Sequence, residues 1–193
     1  DSGQVSVLTE FCDRGSLREL KDMQAPIPED IVASVSWQIL KGLEYLGAND
    51  MMHGNLTLSN VLLTSEGYVK LTDFSVLKRN ENPAASSSQL PHPAFISFLL
   101  SKAPEAVHGE PVDMKSDIWS LGHVQLELTR TGPVHATALT PFELLTLIAD
   151  GHVPSLPTGQ FSEEFEDVSR KCLEMNPENR ASVQELLDHV WCR

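Results

Sequence analysis

Cysteines, aromatic residues and basic residues are all scarce in this chain of 193 residues. The three cysteines, Cys12, Cys172 and Cys192, are odd in number and far apart in sequence. We therefore expect no disulfide framework and a reducing compartment, the cytoplasm. Their spacing from one another and from the histidines is not that of a zinc site.

Basic side chains number 14 against 27 acidic ones, which gives a formal net charge of −13. Such a charge repels the phosphate backbone, so we expect no nucleic-acid partner. Two explanations of the acidity remain open. It can attract a basic partner, or it can serve only to keep the protein soluble.

Long hydrophobic runs are also absent, although hydrophobic residues make up 41% of the chain. The longest runs, such as 94–100, fall far short of a membrane-spanning helix, so we expect no membrane span. The length suits one domain with a sizeable core. Because the sequence opens on Asp1 and not on Met, we expect it to be part of a longer protein.

Hydrophobic spacing and turn residues predict a mostly helical chain with one small hairpin. Pro28 and the acidic residues after it begin a helix, and Gly47 fits its C-cap. The polar stretch 78–93 predicts a loop. Later helices are expected at 116–129, with apolar residues on one face, and at 141–150, 162–174 and 182–192, the last opened by a Ser182 capping box.

Five short motifs occur in a fixed order along the chain. They are TEFC at 9–12 followed by GSL at 15–17, HGNLTLSN at 53–60 followed by Asp73, APE at 103–105, DIWSLG at 117–122, and Arg180 after Asn-Pro. Together they resemble the hinge, catalytic loop, metal-binding motif, activation-segment end and central helix of protein kinases.

The resemblance covers almost the whole chain and is closest to the MAP kinase kinases, on segments 9–17, 27–45, 67–74 and 156–163. It implies an α+β, protein kinase-like fold for residues 1–193. This would be the hinge plus a mainly α-helical C-terminal lobe with a small β-hairpin, with the activation segment at 73–105. No glycine-rich loop or strand lysine precedes the hinge, so we expect the N-terminal lobe to be absent from this chain.

The same resemblance assigns a nucleotide site. Glu10 and Cys12 would lie in the hinge and Leu62 would form the floor of the adenine pocket. Asn60 and Asp73 occupy the positions that coordinate Mg²⁺ through oxygen atoms. An alternative stays open for these two, because Asn and Asp also cap turns well.

The residues that carry proton and phosphate chemistry in kinases are replaced here. The base position holds Asn55, and the lysine position two residues on holds Thr57. Counting back from Ala103 places Phe98 where the activation-segment threonine would lie. Ser75 replaces the glycine of the metal-binding motif, which removes backbone freedom.

The residues with architectural roles are kept. By the resemblance, Asp117 would hold the backbone of the 53–60 loop from below, and His53 would pack between the lobes. Glu105 and Arg180 would form a buried ion pair. The pattern predicts a preserved scaffold around an altered centre.

Two functions follow as hypotheses. The first is a pseudokinase, inactive or very weak, that regulates or scaffolds a cascade by docking another protein kinase or cascade component. The second is an active serine/threonine or dual-specificity kinase that transfers the γ-phosphate of ATP to a protein. ATP and Mg²⁺ binding is implied for the intact protein and would be weak or absent in this chain alone.

Overall fold

The computed structural model describes residues 8–23, 26–73, 101–131, 143, 146–148 and 150–193. The elements with complete bounds are α1 (Leu17–Met23), α2 (Glu29–Ala48), β1 (Val61–Leu63), β2 (Val69–Leu71), α3 (Pro104–Val107), α4 (Met114–Thr129), α5 (Glu163–Cys172) and α6 (Val183–Leu187). Short 3₁₀ turns lie at Leu58–Asn60 and Val190–Cys192. The predicted helix-rich α+β lobe is confirmed, and the part of the chain that the structure describes contains one small hairpin.

Helix α4 is the centre of the lobe. Thirteen of its sixteen residues are buried. The apolar residues predicted to share one face are among them, and most of the other positions are buried as well. A helix buried all round lies inside a core. Helices α2 and α5 pack against α4, while the segments before α4 and the 53–60 loop bond to its first turns. Several polar side chains of α4 form hydrogen bonds inside the core, as Gln125 Nε2 does to Ser36 Oγ at 3.1 Å.

Helix α2 begins after Pro28 with Glu29 and Asp30 in its first turn, where acidic groups favour the helix dipole. Its buried stripe includes Val32, Val35, Ile39, Leu43 and Leu46. The expected C-cap at Gly47 was wrong, because the helix continues through Ala48. The backbone N–H of Asn49 closes the helix, and Asp50 takes the left-handed conformation at φ 55°.

The hairpin pairs Val61 with Leu71 and Leu63 with Val69 in antiparallel register. Helix α2 holds it through one side chain. The Gln38 amide donates to the Gly67 carbonyl at 3.2 Å and accepts from the Val69 N–H at 2.9 Å. The hairpin is thereby fixed to the helix on the side away from α4.

The C-terminal end packs against α5. The predicted capping box of Ser182 and Glu185 is confirmed, but the helix it opens ends at Leu187 and does not run to residue 192. His189 is extended there, and its ring accepts a hydrogen bond from the Trp191 N–H. This break lets Trp191 stack on Phe165, with ring centroids 4.4 Å apart.

Among the described residues, no helix combines the length and the apolar character that crossing a bilayer would require.

Gly122 marks the closest approach of α4 to α5. A Cβ built there would lie 2.8 Å from Leu173 and 3.0 Å from the Cys172 Cβ. We expect Gly122→Ala to lower the free energy of unfolding by about 1–3 kcal/mol, because the core must be overpacked. Urea denaturation measures the change.

Gly47→Ala is the matched control. Its Cβ would meet only Met114, at an ordinary 3.4 Å, on the exposed side of α2. This substitution should raise stability by about 0.5–1 kcal/mol, since alanine favours a helix over glycine. Equal effects of the two substitutions would contradict the close packing of α4 on α5.

Candidate active site

The 53–60 loop is anchored to α4 by one buried carboxylate. Asp117 accepts hydrogen bonds from the backbone N–H groups of His53 at 2.7 Å and Gly54 at 2.8 Å. Burial raises the pKa of Asp117 to about 6, although these two bonds and the nearby Lys102 cation act to lower it. The predicted role of Asp117 beneath the loop is confirmed by these contacts.

Three of the predicted site residues come together at the open end of this loop. The Asn55 side-chain Nδ2 donates to Asp73 Oδ2 at 2.9 Å, and Asn60 Nδ2 donates to the Asn55 carbonyl at 2.8 Å. Asp73 adopts φ 55°, a left-handed conformation in which aspartate and asparagine are over-represented. At the base position there is thus an amide that donates to a carboxylate.

Thr57 brings no charge to the site. It is buried, and it precedes the 3₁₀ turn Leu58–Asn60 in an extended conformation. Its carbonyl accepts the Asn60 N–H at 3.0 Å, which tightens the turn. Thr57 therefore contributes to the backbone geometry of the loop, and its side chain carries no positive charge.

The residues assigned to nucleotide binding lie along the segment that joins β1. Arg14 N–H donates to the Leu63 carbonyl at 3.1 Å, and Leu63 N–H donates to the Gly15 carbonyl at 2.8 Å. Leu62, beside them, is half-buried. The segment after the predicted hinge is therefore hydrogen-bonded to β1, the strand that contains Leu62, the predicted floor of the adenine pocket.

The two hinge residues differ in surroundings. Cys12 is half-buried, and its carbonyl accepts the Gly15 N–H at 3.4 Å. Glu10 is exposed, and its carboxylate pairs with Lys70 of β2 at 3.1 Å. The Glu10 side chain thus points to the hairpin, which leaves its backbone as the part available for the predicted hinge contact.

Lys102 is a site residue that the sequence interpretation missed. Its Nζ donates to the Gly54 carbonyl at 2.7 Å. Burial lowers the pKa of Lys102 to about 8, against the opposing influence of Asp117. Its position directly before the APE motif was the available signal, because Ala103 of that motif lies beside the same small cavity as Gly54.

His53 is buried and neutral at physiological pH. Burial lowers its pKa to about 4, although Asp73 and the Thr72 backbone favour the charged ring. Its Nδ1 accepts the Asn55 N–H at 3.2 Å. A proton on Nδ1 would remove this acceptor, so the neutral ring is part of the loop geometry.

The buried ion pair expected from sequence is present. Arg180 donates from Nη1 and Nη2 to the two oxygens of Glu105 at 2.7 and 2.9 Å. The Ser116 hydroxyl donates to the same carboxylate at 2.7 Å. Burial alone would raise the pKa of Glu105, but these bonds outweigh it and hold that pKa below its ordinary value. Arg180 also lies over the Trp119 ring, 5.2 Å from its centroid.

Comparison with known sequences decides the family. The family described as protein tyrosine and serine/threonine kinase matches residues 1–190. The chain belongs to the protein kinase family. The kinase resemblance predicted from the motifs is confirmed.

Several relatives are MAP kinase kinases. The chain is 34% identical to Mitogen-activated protein kinase kinase 2 of Arabidopsis thaliana over 99% of its own length and 53% of that protein. It is 36% identical to Mitogen-activated protein kinase kinase SIPKK of Nicotiana tabacum, over 99% and 54%. A third relative, Serine/threonine-protein kinase 10 of Xenopus tropicalis, is 34% identical over 99% of this chain and 20% of that protein. The chain spans about half the length of the MAP kinase kinases it matches.

Kinases use ATP with Mg²⁺, and the donor set of this kinase domain fits the metal. Asp73 offers a carboxylate, and Asn60 points its amide nitrogen at Asn55, which leaves its amide oxygen for a cation. These are oxygen ligands of the kind Mg²⁺ prefers. The Asn55 amide competes for one oxygen of Asp73. Phe98 and Ser75 lie outside the described residues.

The kinase ion pair gives a test of the scaffold. We expect Arg180→Met to lower the free energy of unfolding by about 3–5 kcal/mol, because it leaves the Glu105 charge buried and unpaired. Replacing both partners, Glu105→Leu with Arg180→Met, should cost less than that single change. Urea denaturation of the variants measures the difference.

Arg170→Met is the matched control for the arginine. Arg170 pairs with Asp167 at 3.0 Å but is 72% exposed, so the loss should stay within about 1 kcal/mol. A loss at Arg180 no larger than the loss at Arg170 would contradict a structural role for the buried pair.

The neutral His53 predicts a pH dependence. A lowered pKa means that the native state stabilises the neutral ring. Its contribution is complete above pH 6.5 and is lost as the pH falls toward about 4. Wild-type stability should fall across this window by up to about 3 kcal/mol more than that of His53→Phe.

Chemical denaturation at several pH values across that window measures the difference. His152→Phe, at an exposed histidine, is the control and should keep the wild-type profile. If the stability of His53→Phe depends on pH in the same way as that of the wild type, the His53 ring is not the cause of the pH dependence.

Proposed function

We propose that this kinase domain is a pseudokinase related to the MAP kinase kinases. It would act in the cytoplasm as a regulatory or scaffolding module that docks another protein kinase or cascade component. Residues 1–193 would form the hinge and the C-terminal lobe, with the activation segment at 73–105. The observation that supports this most is the hydrogen bond from Asn55 Nδ2 to Asp73.

Asn55 lacks the basicity that phosphoryl transfer uses. An aspartate at this position accepts or orients the proton of the substrate hydroxyl, and such assistance contributes about 10²–10⁴-fold to rate. An amide nitrogen is a donor with no lone pair to accept that proton. Here that nitrogen already donates to the Asp73 carboxylate.

Thr57 removes a second contribution. Positive charge near the transferring phosphate stabilises the transition state, and electrostatic stabilisation of this kind is usually large. A buried threonine supplies none. Lys102 does not replace it, because its ammonium is bound to the Gly54 carbonyl beneath the loop.

The kept residues support a role in binding. Asp117 holds the loop, and Glu105 with Arg180 holds the segment before α4 to the C-terminal region. We infer that the lobe presents a fixed shape to a partner kinase.

Active phosphoryl transfer is the second candidate, and one observation favours it. Asp73 and Asn60 are linked through Asn55 and supply the oxygen ligands for Mg²⁺. In the intact protein these residues would bind the metal beside ATP, with Glu10, Cys12 and Leu62 against the base. The metal would neutralise phosphate charge, and the residues of this chain would only hold it in place.

Asn55→Asp separates the two candidates. The change places a second carboxylate where the Asn55 amide lies 2.9 Å from Asp73. We expect Mg²⁺ to stabilise this variant more than the wild type, because paired carboxylates bind it better. Thermal melts with and without Mg²⁺ measure this effect.

Phosphoryl transfer by the intact protein with Mg²⁺ and ATP is measured in parallel, with Asp73→Ala as the control. We expect no transfer above that control from wild type and no strong activity from Asn55→Asp. Transfer by the wild type that Asp73→Ala abolishes would establish an active kinase. A rate gain above about 100-fold from Asn55→Asp alone would equally count against the pseudokinase.

A further inference from the structure

Helix α2 exposes aromatic side chains on the face that points away from the core. Its outward positions are Ser34, Trp37, Lys41 and Tyr45, spaced as one helical stripe. Trp37 is 43% exposed and Tyr45 is 68% exposed. The outward face of a surface helix is ordinarily polar. Two large aromatic residues on one such stripe mark a surface for a partner.

These aromatic residues border a groove between α2 and the hairpin, here called the α2 groove. It has a volume of about 570 Å³, and its lining includes Trp37, Lys41, Tyr45, Met51, Lys70 and Leu71. That volume lies within the range of sites that hold a ligand's side chains.

The walls of the α2 groove are held in place by the fold. Gln38 bonds twice to the hairpin. Gly42 allows a close approach, because a Cβ there would lie 2.7 Å from Leu71 Cδ1. A preformed groove loses little conformational entropy on binding, which favours affinity.

The charge of the α2 groove is opposite to that of the protein. Its described lining contains Lys41 and Lys70 and no carboxylate. Residues 31–43 of the helix also contain no Asp or Glu, in a chain of net charge −13. The two lysines pair with Glu44 and Glu10 at the rim. Exposed pairs contribute about 0–1 kcal/mol, so an incoming carboxylate can replace them.

We propose that the α2 groove docks a peptide segment of a partner protein that carries acidic residues beside an apolar anchor. The anchor packs against Trp37, Tyr45 and Met51, and the carboxylates pair with Lys41 and Lys70. This proposal rests on the docking role proposed above and adds to it the surface where a partner binds. Its test measures no phosphoryl transfer, so each can fail without the other.

Other occupants fit the charges less well. A basic peptide would meet Lys41 and Lys70 with no lining carboxylate to receive it. A second copy of this chain, bound about a two-fold axis, would place lysines on both sides of the interface and join two chains of net charge −13. An acidic segment with an apolar anchor satisfies both the lysines and the aromatic wall.

A random peptide library displayed on phage, selected on the intact protein, tests the proposal. We expect selected peptides rich in Asp and Glu beside a large apolar residue. Their affinity is then measured by fluorescence anisotropy against the variants. Lys41→Glu and Lys70→Glu should each weaken binding about 3- to 5-fold, and Tyr45→Ala about 5- to 10-fold.

Lys171→Glu is the matched control. The Lys171 side chain is 47% exposed, as is that of Lys41, and it pairs with Asp167 on α5 away from the groove. Its replacement should leave affinity unchanged. The proposal is overturned if no peptide is enriched, if the enriched peptides are basic, or if Lys171→Glu weakens binding as much as Lys41→Glu. Sedimentation showing a dimer that Tyr45→Ala dissociates would assign the face to a second copy and overturn it too.

Discussion

The paired hydrogen bonds from His53 and Gly54 to Asp117 are the constraint on which the site depends. They fix the start of the 53–60 loop to the first turn of a helix that is buried on every side. A buried carboxylate with two backbone donors is costly to leave unpaired. From this anchor the loop places Asn55 within reach of Asp73. The geometry of the open end of the loop is thus set from inside the core.

This dependence explains how a kinase domain can keep its shape when residues at the open end of the loop differ from the kinase pattern. The charges that build the lobe are buried and bonded to several partners, as Arg180 is to Glu105 and to three backbone carbonyls. The Asn55 side chain at the base position is only half-buried, and it bonds to Asp73 rather than to a core residue. Replacing Asp by Asn at position 55 therefore costs the fold little, while the same change removes a base.

The order of the motifs predicted the fold, the Glu105–Arg180 ion pair and the anchor at Asp117. Each of these residues has one fixed position in the kinase pattern, so the pattern identifies it. The spacing of residues within one helix did not predict features that depend on packing between helices. Gly47 matched a C-cap, yet α2 continues through Ala48 and its C-cap is Asn49, two residues later. Helix α4 matched an amphipathic pattern, but three neighbouring segments bury it all round. Lys102 was missed because a lone lysine in sequence does not show that its ammonium will meet a carbonyl 48 residues away.

Lys102 is a partly buried cation that contacts the 53–60 loop at Gly54. The kinase pattern has arginine where this chain has Gly54, which adopts φ 69°, a conformation that glycine takes without strain. The Gly54 carbonyl now binds the Lys102 ammonium, and burial lowers the pKa of that ammonium to about 8. A cation so enclosed stabilises the loop through its bond to this carbonyl. The start of the loop in this domain is therefore held in part by the hydrogen bond from Lys102 to the Gly54 carbonyl.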